Sequence, residues 1–392
     1  MDPFTRSGAE LETFLAGEPR YRIAQVRAWL ARGVDDPQAM TDLPVTLRAS
    51  LHEHLDPPPR VVRRSVADDG LTHKVLLEMG AGERREAVES VLMLYPRTAR
   101  RRSARATVCV STQAGCAMGC PFCATGQAGF RRQLTVGEIV RQVTVMQRLL
   151  AERGAAGRDG LGPDGSPASA TPWPDVPDHV TNVVFMGMGE PLANLEPSLD
   201  AVRWLVGQFG LSARSITVST IGLVPGIRRL EGLGLPVRLA ISLHAPNDAL
   251  RNDLVPANRQ FPLREVMESA SSYRRTIGRR VSFEYVLIDG LNDQPQHARE
   301  LAALLARSDA HVNLIPMNPT PAVPWQAPDP AVQRRFTDVL HDNGVAATIR
   351  HNRGTEIDAA CGQLYANYRM GSGARLPVAV GAAERLTAGD PG

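Results

Sequence analysis

From about residue 106 onward, short β-rich runs alternate with helical patterns, and this alternation limits the fold more than any other feature of the chain. The runs are TVCVS, TNVVFMG, SITVST, VRLAISLH, VSFEYVL and HVNLIP. The helical patterns between most of them cover 135–152, 196–208, 224–233, 263–278 and 295–308. Strands separated by helices lie parallel, because each helix carries the chain back across the sheet in a right-handed crossover. The pattern predicts an α/β fold of βαβ units, either an open doubly wound sheet or a barrel, complete or partial. Spacing alone leaves that choice open. A further helix at about 329–343 precedes the strand-like VAATIR.

The preceding residues have a different character. Residues 1–58 read as a small helical domain: Tyr21, Ile23, Val26, Trp29 and Leu30 share one face at three- and four-residue spacing, and Pro57-Pro58-Pro59 closes the segment. Residues 59–105 read as a β extension and basic linker. RVVRRSV and THKVLLEM flank Asp69-Gly70, a hairpin signal, and AVESVLML forms a further strand ending before Pro96. The core then spans 106–368. Residues 153–178, rich in Gly, Pro, Ala and Asp, read as an insertion loop, and 369–392 as a flexible tail.

Composition excludes several classes. With 43% hydrophobic and 22% charged residues the chain is too apolar for a disordered protein. No stretch reaches the roughly 18 apolar residues of a membrane helix, and the first residues lack a secretory signal pattern. The net charge of +3 is too mild to announce nucleic-acid binding by itself.

Four of the five cysteines fall between positions 109 and 123. Crowding of this kind points to metal or redox chemistry rather than a disulfide framework. Cys116-Ala-Met-Gly-Cys120-Pro-Phe-Cys123 places three thiolates in one short loop after a strand. A structural zinc site needs four closed ligands, whereas three soft ligands suit an iron–sulfur cluster with one iron left open. A zinc loop completed by Cys109, or a redox pair at Cys120 and Cys123, are the alternatives.

The C-x3-C-x2-C loop with an aromatic before its last cysteine resembles the signature of radical S-adenosylmethionine (SAM) enzymes. STQAGCAMGCPFCATGQAGFRR, VVFMGMGEPLAN, VSTIGLVPGI, SLHAPNDALR, NLIPMNP and IDAACGQL extend the likeness over roughly residues 18–368. Together they resemble the radical SAM RNA adenine methyltransferases, and within them the adenine-C2 branch, the RlmN type. The resemblance implies a partial (βα)6 barrel with the small N-terminal helical domain serving as the RNA-reading part. It implies a 4Fe-4S cluster on Cys116, Cys120 and Cys123, and SAM used twice per turnover. It further implies that Gly189 and Glu190 meet the amino end of SAM. Ser219, Ser242, Leu243, His244 and Asn318 would contact its ribose, carboxylate or adenine.

The implied reaction has a physical logic. C2 of adenine is not nucleophilic and cannot attack the sulfonium methyl of SAM directly. By resemblance, Cys361 first takes the methyl group. A radical made from a second SAM then activates that group for addition to C2, and a base removes the C2 proton. Cys109 resolves the adduct through a transient disulfide with Cys361, which external reduction resets. Glu89 in AVESVLML matches the proposed proton acceptor. It lies twenty positions upstream of Cys109, a wider gap than the family pattern, because of the arginine-rich stretch between them.

The implied partners are 23S rRNA, tRNA as a second substrate, and an external electron donor such as a flavodoxin system. The implied setting is a cytoplasmic monomer without membrane attachment. Five arginines within 97–105, together with Arg60, Arg63, Arg64, Arg131 and Arg132, could neutralise phosphates. A merely solvated loop is the other reading of that run. Aromatics at 5% provide no broad stacking platform, and the target adenine must still leave its stack. VSTIG and IDAACGQLYANY are equally at home in the adenine-C8 branch of the family, linked to ribosomal antibiotic resistance. A radical SAM enzyme acting on a small molecule would leave Cys361 unexplained. A non-enzymatic zinc module would bind no SAM.

Overall fold

The computed structural model describes residues 1–4, 9–98, 103–159, 176–306, 308–350 and 352–364. The chain opens with α1 (Ala9–Phe14), α2 (Tyr21–Ala31) and α3 (Val45–His54). Four strands follow: β1 (Arg60–Ala67), β2 (Thr72–Met79), β3 (Glu86–Tyr95) and β4 (Arg105–Cys109). Next come β5 (Gln113–Gly115), α4 (Ala124–Gln127), β6 (Phe130–Gln133), α5 (Val136–Asp159), β7 (Asn182–Phe185) and α6 (Leu195–Gly207). The alternating part continues as β8 (Ile216–Thr220), α7 (Val224–Glu231), β9 (Arg238–Ser242), α8 (Asp248–Leu254), α9 (Leu263–Ile277) and β10 (Ser282–Leu287). It ends with α10 (Pro295–Leu305), β11 (His311–Pro316), α11 (Pro330–Asp342) and β12 (Ala346–Ile349).

The chain divides into two compact units. The first comprises Met1–Ser111, Leu134–Val184 and Glu196–Ile216. Its strands β1 to β4 pair in sequence as an antiparallel meander, and β7 adds to β4 in parallel. Every residue of β2 is buried, so both of its faces are covered. The register aligns Lys74, Val91 and Cys109 in one row across β2, β3 and β4. Arg63, Leu76 and Glu89 form the neighbouring row on the same face. Phe4 is fully buried and meets Trp204 of α6 edge-on at 4.9 Å. Burying a side chain of that size contributes about 1.5–3 kcal/mol. In α2, Val26 and Leu30 are buried as the helical spacing predicts, but Tyr21 at the helix start is 57% exposed.

The second unit comprises Thr112–Gln133, Phe185–Leu195 and the described residues from Thr217 onward. Strands β8 to β12 are all parallel and adjacent in sequence order, each joined to the next through helix. This is the α/β architecture that the alternation predicts. Strands β5 and β6 pair separately as a short antiparallel ribbon.

Some local expectations need correction. The Asp69-Gly70 hairpin forms, but through a 3-10 turn over Asp68–Gly70 with Asp68 and Asp69 in the left-handed region, not a two-residue turn. Helix α5 runs through 153–159, which sequence pattern assigns to the insertion loop. The rest of that loop up to 175, residues 99–102 of the arginine run, and the tail beyond 364 lie outside the described residues. No helix among the described residues is long and apolar enough to cross a membrane.

Candidate active site

The cysteine loop is built by local necessity. β5 delivers the chain to Cys116 through Gly115, whose φ is +75° and where a Cβ would lie 1.9 Å from the Gly129 carbonyl oxygen. Only glycine fits that approach. Cys116 N donates to Gly129 O at 3.0 Å and Cys123 N to Cys120 O at 3.1 Å, so the loop closes on itself before α4 begins. Burial pushes the Cys116 thiol up to about 12 and the Cys120 thiol well above its ordinary value, and the neighbouring cysteines add to both shifts. Thiols in such a setting ionise only against a compensating positive centre.

These thiols line a cavity of about 170 Å³ within the second unit. Cys116, Cys120 and Cys123 share it with Gly189, Glu190, Ser219, Ser242, His244, Asn318 and Cys361. The structure therefore brings ten of the thirteen sequence-selected positions to one cavity. The serines, His244 and Asn318 stand at or just beyond the C-terminal ends of β8, β9 and β11, where parallel α/β folds place ligands. Among the described residues, no three His, Cys, Asp or Glu side chains are placed to grip a metal ion directly.

Each lining residue has a defined local role. Glu190 is buried, and burial raises its carboxyl to about 7. Its Oε1 accepts from Leu192 N at 3.0 Å and its Oε2 from Ile221 N at 2.9 Å, so the side chain ties the Gly187–Pro191 loop to the end of β8. Its own N–H donates to Gln113 Oε1 at 2.8 Å. Gly189, at φ +96°, lies so close to Gln113 that a Cβ would meet that side chain at 2.5 Å. Ser219 and Ser242 approach each other at 3.4 Å between Oγ atoms. His244 accepts from Val286 N through Nδ1 at 3.0 Å, which puts the ring hydrogen on Nε2. Burial lowers its pKa to about 3, so the ring is neutral.

Cys361 is exposed at the cavity, while burial of its thiol on the protein side raises its pKa. Hydrogen bonds pin its segment to the rest of the site. Asn318 Nδ2 donates to Cys361 O at 2.9 Å, Ala124 N to Gly362 O at 2.8 Å, and Thr125 Oγ1 to Leu364 O at 2.5 Å.

Leu243 does not line the cavity: it is fully buried, and its N–H donates to Glu284 O at 2.9 Å. Sequence reasoning missed Glu284, a buried lining residue that accepts from Asn313 Nδ2 at 2.7 Å. It also missed Arg251, which is completely buried. Arg251 donates to the carbonyls of Leu243, Ile221 and Ser242 and to Asn258 Oδ1 at 3.0, 2.5, 3.2 and 2.7 Å. One guanidinium thus fixes the ends of β8 and β9. The Arg within SLHAPNDALR was the only signal available.

Cys109 and Glu89 belong to the first unit. Both are buried, and the Glu89 carboxylate pairs with Lys74 Nζ at 2.9 Å. Ser111 Oγ donates to the Glu89 carbonyl at 2.6 Å, and Ser90 Oγ to the Cys109 carbonyl at 2.8 Å. Of the arginines, Arg60 pairs with Glu78 at 2.9 Å, Arg105 lies over the Tyr95 ring, and Arg63 and Arg131 are exposed.

No protein-family model matches the chain. A probable dual-specificity RNA methyltransferase RlmN from Parafrankia sp. (strain EAN1pec) is 52% identical over 339 residues, covering 85% of this chain and 82% of that protein. The chain belongs to the RlmN family. A second RlmN relative, from Roseiflexus sp. (strain RS-1), is 45% identical over 91% of this chain and 94% of its own length. The crystal structure of a radical SAM methyltransferase from Sphaerobacter thermophilus superimposes with a TM-score of 0.79 at 46% identity, over 91% of this chain and 97% of that one. RlmN membership therefore comes with the fold of a radical SAM methyltransferase.

Proposed function

We propose that this chain is a SAM-dependent radical methyltransferase that methylates C2 of an adenine in 23S rRNA, and of an adenine beside the anticodon in tRNA. The observation that carries this reading is the shared cavity. Three cluster-type thiols and the thiol of Cys361 line it together with the ends of parallel strands.

The donor set fits a 4Fe-4S cluster. Cys116, Cys120 and Cys123 would hold three irons and leave the fourth open, and their raised thiols need the positive charge that such a centre carries. A bound cluster and SAM supply one-electron cleavage of the sulfonium and the radical that follows. The chain supplies the rest. Gly189 and Glu190 would receive the amino end of SAM through the loop that Gln113 and Ile221 hold in place. Ser219, Ser242 and neutral His244 would line its ribose and adenine, and Asn318 would join that binding while fixing the Cys361 backbone. Cys361 would carry the methyl group. Cys109 would resolve the adduct by attacking the Cys361 sulfur, and Glu89 would accept the C2 proton. The disulfide so formed needs external reduction, which suits a reducing cytoplasm and a flavodoxin-like donor.

The test is mass spectrometry of rRNA and tRNA nucleosides from a strain lacking the gene and from the same strain complemented. Loss and return of 2-methyladenosine supports the reading, and Cys361→Ala or Cys109→Ala should then fail to restore it. Appearance of 8-methyladenosine on complementation would move the chain to the adenine-C8 branch. No change in either nucleoside would refute RNA methylation.

A further inference from the structure

Within the first unit, β2, β3 and β4 place three chemically active side chains on one face. Lys74 and Cys109 occupy the two ends of a cross-strand row with Val91 between them, and Glu89 stands two residues from Val91 on the same strand. Residues two apart on a strand point to the same side of the sheet. The Glu89 carboxylate therefore shares its face with the Cys109 thiol, and the Lys74 ammonium reaches it diagonally at 2.9 Å.

Burial makes the contact more than an ordinary ion pair. The side chains of Lys74 and Glu89 are only 7% and 1% exposed. A charge removed from water to that degree is costly unless a partner of opposite charge meets it. A lysine costs as much to bury as a glutamate, and an apolar residue in the middle of β2 would pack there without that penalty. A charge spent at this position needs a function that an apolar residue could not perform.

We infer that Lys74 is a positioning residue for the methyl-transfer reaction: its ammonium, 2.9 Å from the Glu89 carboxylate, holds that group along the face that carries Cys109, ready to accept the C2 proton. This rests on the reading of Glu89 as the proton acceptor. In the step concerned, the C2–H bond breaks, its electron pair stays with the adenine ring, and the proton passes to a Glu89 oxygen. Lys74 gives up no proton. The other charged groups that the register sets on this face are Arg60 and Arg63 on β1, Glu78 on β2 and Arg105 on β4, which lies over the Tyr95 ring. Glu78 is engaged by Arg60 and Arg85.

The experiment compares Lys74→Met, Lys74→Arg, Glu89→Gln and the double variant Lys74→Met/Glu89→Gln in the full chain. Each is reconstituted anaerobically and assayed with RNA for methylated product and, separately, for SAM cleavage. Expected are a fall in product kcat of about 100-fold or more for Lys74→Met, little change in KM for RNA, and retained SAM cleavage. Lys74→Arg should recover most of the rate. The double variant should be no slower than Glu89→Gln alone, because both changes remove the same base. The double variant buries no lone charge, so together with Lys74→Arg it decides the matter if Lys74→Met does not fold. Multiplying losses in the double variant, or a Lys74→Met enzyme within threefold of the parent, would overturn the inference. If Glu89→Gln itself retains full rate, it is the assignment of Glu89 that fails, and the role of Lys74 fails with it.

Discussion

Replacing Arg251 by methionine gives the sharpest test of how the site is held. The guanidinium makes four hydrogen bonds, three to carbonyl oxygens and one to Asn258 Oδ1, while completely buried. Burial lowers its pKa only to about 10, so it stays charged at neutral pH. Hydrogen bonds to a charged group contribute about 1.5–3 kcal/mol each, or roughly 6–12 kcal/mol gross for four. Burying the cation costs several kcal/mol of that. Methionine fills much of the volume but leaves three buried carbonyls without a donor. The net loss should be about 3–5 kcal/mol, read as a lower urea midpoint at unchanged slope. Arg251→Lys keeps the charge but not the planar fork, and should lose about 1–3 kcal/mol. Ile221 and Ser242 line the cavity, so SAM affinity of the methionine variant should also fall, by about tenfold or more in equilibrium dialysis. A methionine variant within about 1 kcal/mol of the parent, with unchanged SAM affinity, would refute the reasoning.

Three further outcomes are expected. Gly189→Ala forces a left-handed φ and a Cβ into Gln113, which should destabilise the chain by about 2–4 kcal/mol and weaken SAM binding; a normal binding isotherm would count against the close-approach argument. Cys123→Ser should lose bound iron and sulfide in chemical analysis after anaerobic reconstitution, whereas iron retention at the parent level would remove Cys123 from the ligand set. Glu190 and His244 should push acid stability in opposite directions. The raised Glu190 carboxyl contributes fully below about pH 4.5, and that contribution is lost as pH rises through about 7. The lowered His244 contributes fully above about pH 6.5, and loses that contribution as pH falls towards 3. Between about pH 4.5 and 6.5 the two slopes, each up to about 1.4 kcal/mol per pH unit, oppose each other. Glu190→Gln should expose loss of stability on acidification, and His244→Gln a gain; parallel urea-midpoint profiles for all three proteins would contradict both assignments.

The parallel strands were legible because each is a short β-rich run between amphipathic helices, a local signal that tertiary context did not override. The cysteine loop was legible because its chemistry is concentrated in eight consecutive residues. The short β5–β6 ribbon was not, since strands of three and four residues are made by each other and by Gly115 rather than by propensity. Helix α8, seven residues long, escaped notice for a similar reason: its Asn247 cap and buried Arg251 are tertiary features. Lys74 carries no signal of its own in THKVLLEM, because the pattern does not reveal that β2 is covered on both faces. Leu243 shows the converse. A resemblance that runs through three consecutive residues cannot distinguish the two that line a cavity from the one whose backbone supports them.

The hydrogen bonds from Ala124 and Thr125 to the backbone beyond Cys361 carry a consequence for quality control. The turn that follows Cys123 is the same turn that clasps the strap of chain beyond Cys361. Any event that unravels the first, such as damage to the loop, also removes two of the hydrogen bonds that hold the second. A copy with a damaged loop would then hold Cys361 less firmly in the cavity. Two thiol-bearing stretches, 239 positions apart at Thr125 and Leu364, share the same few groups.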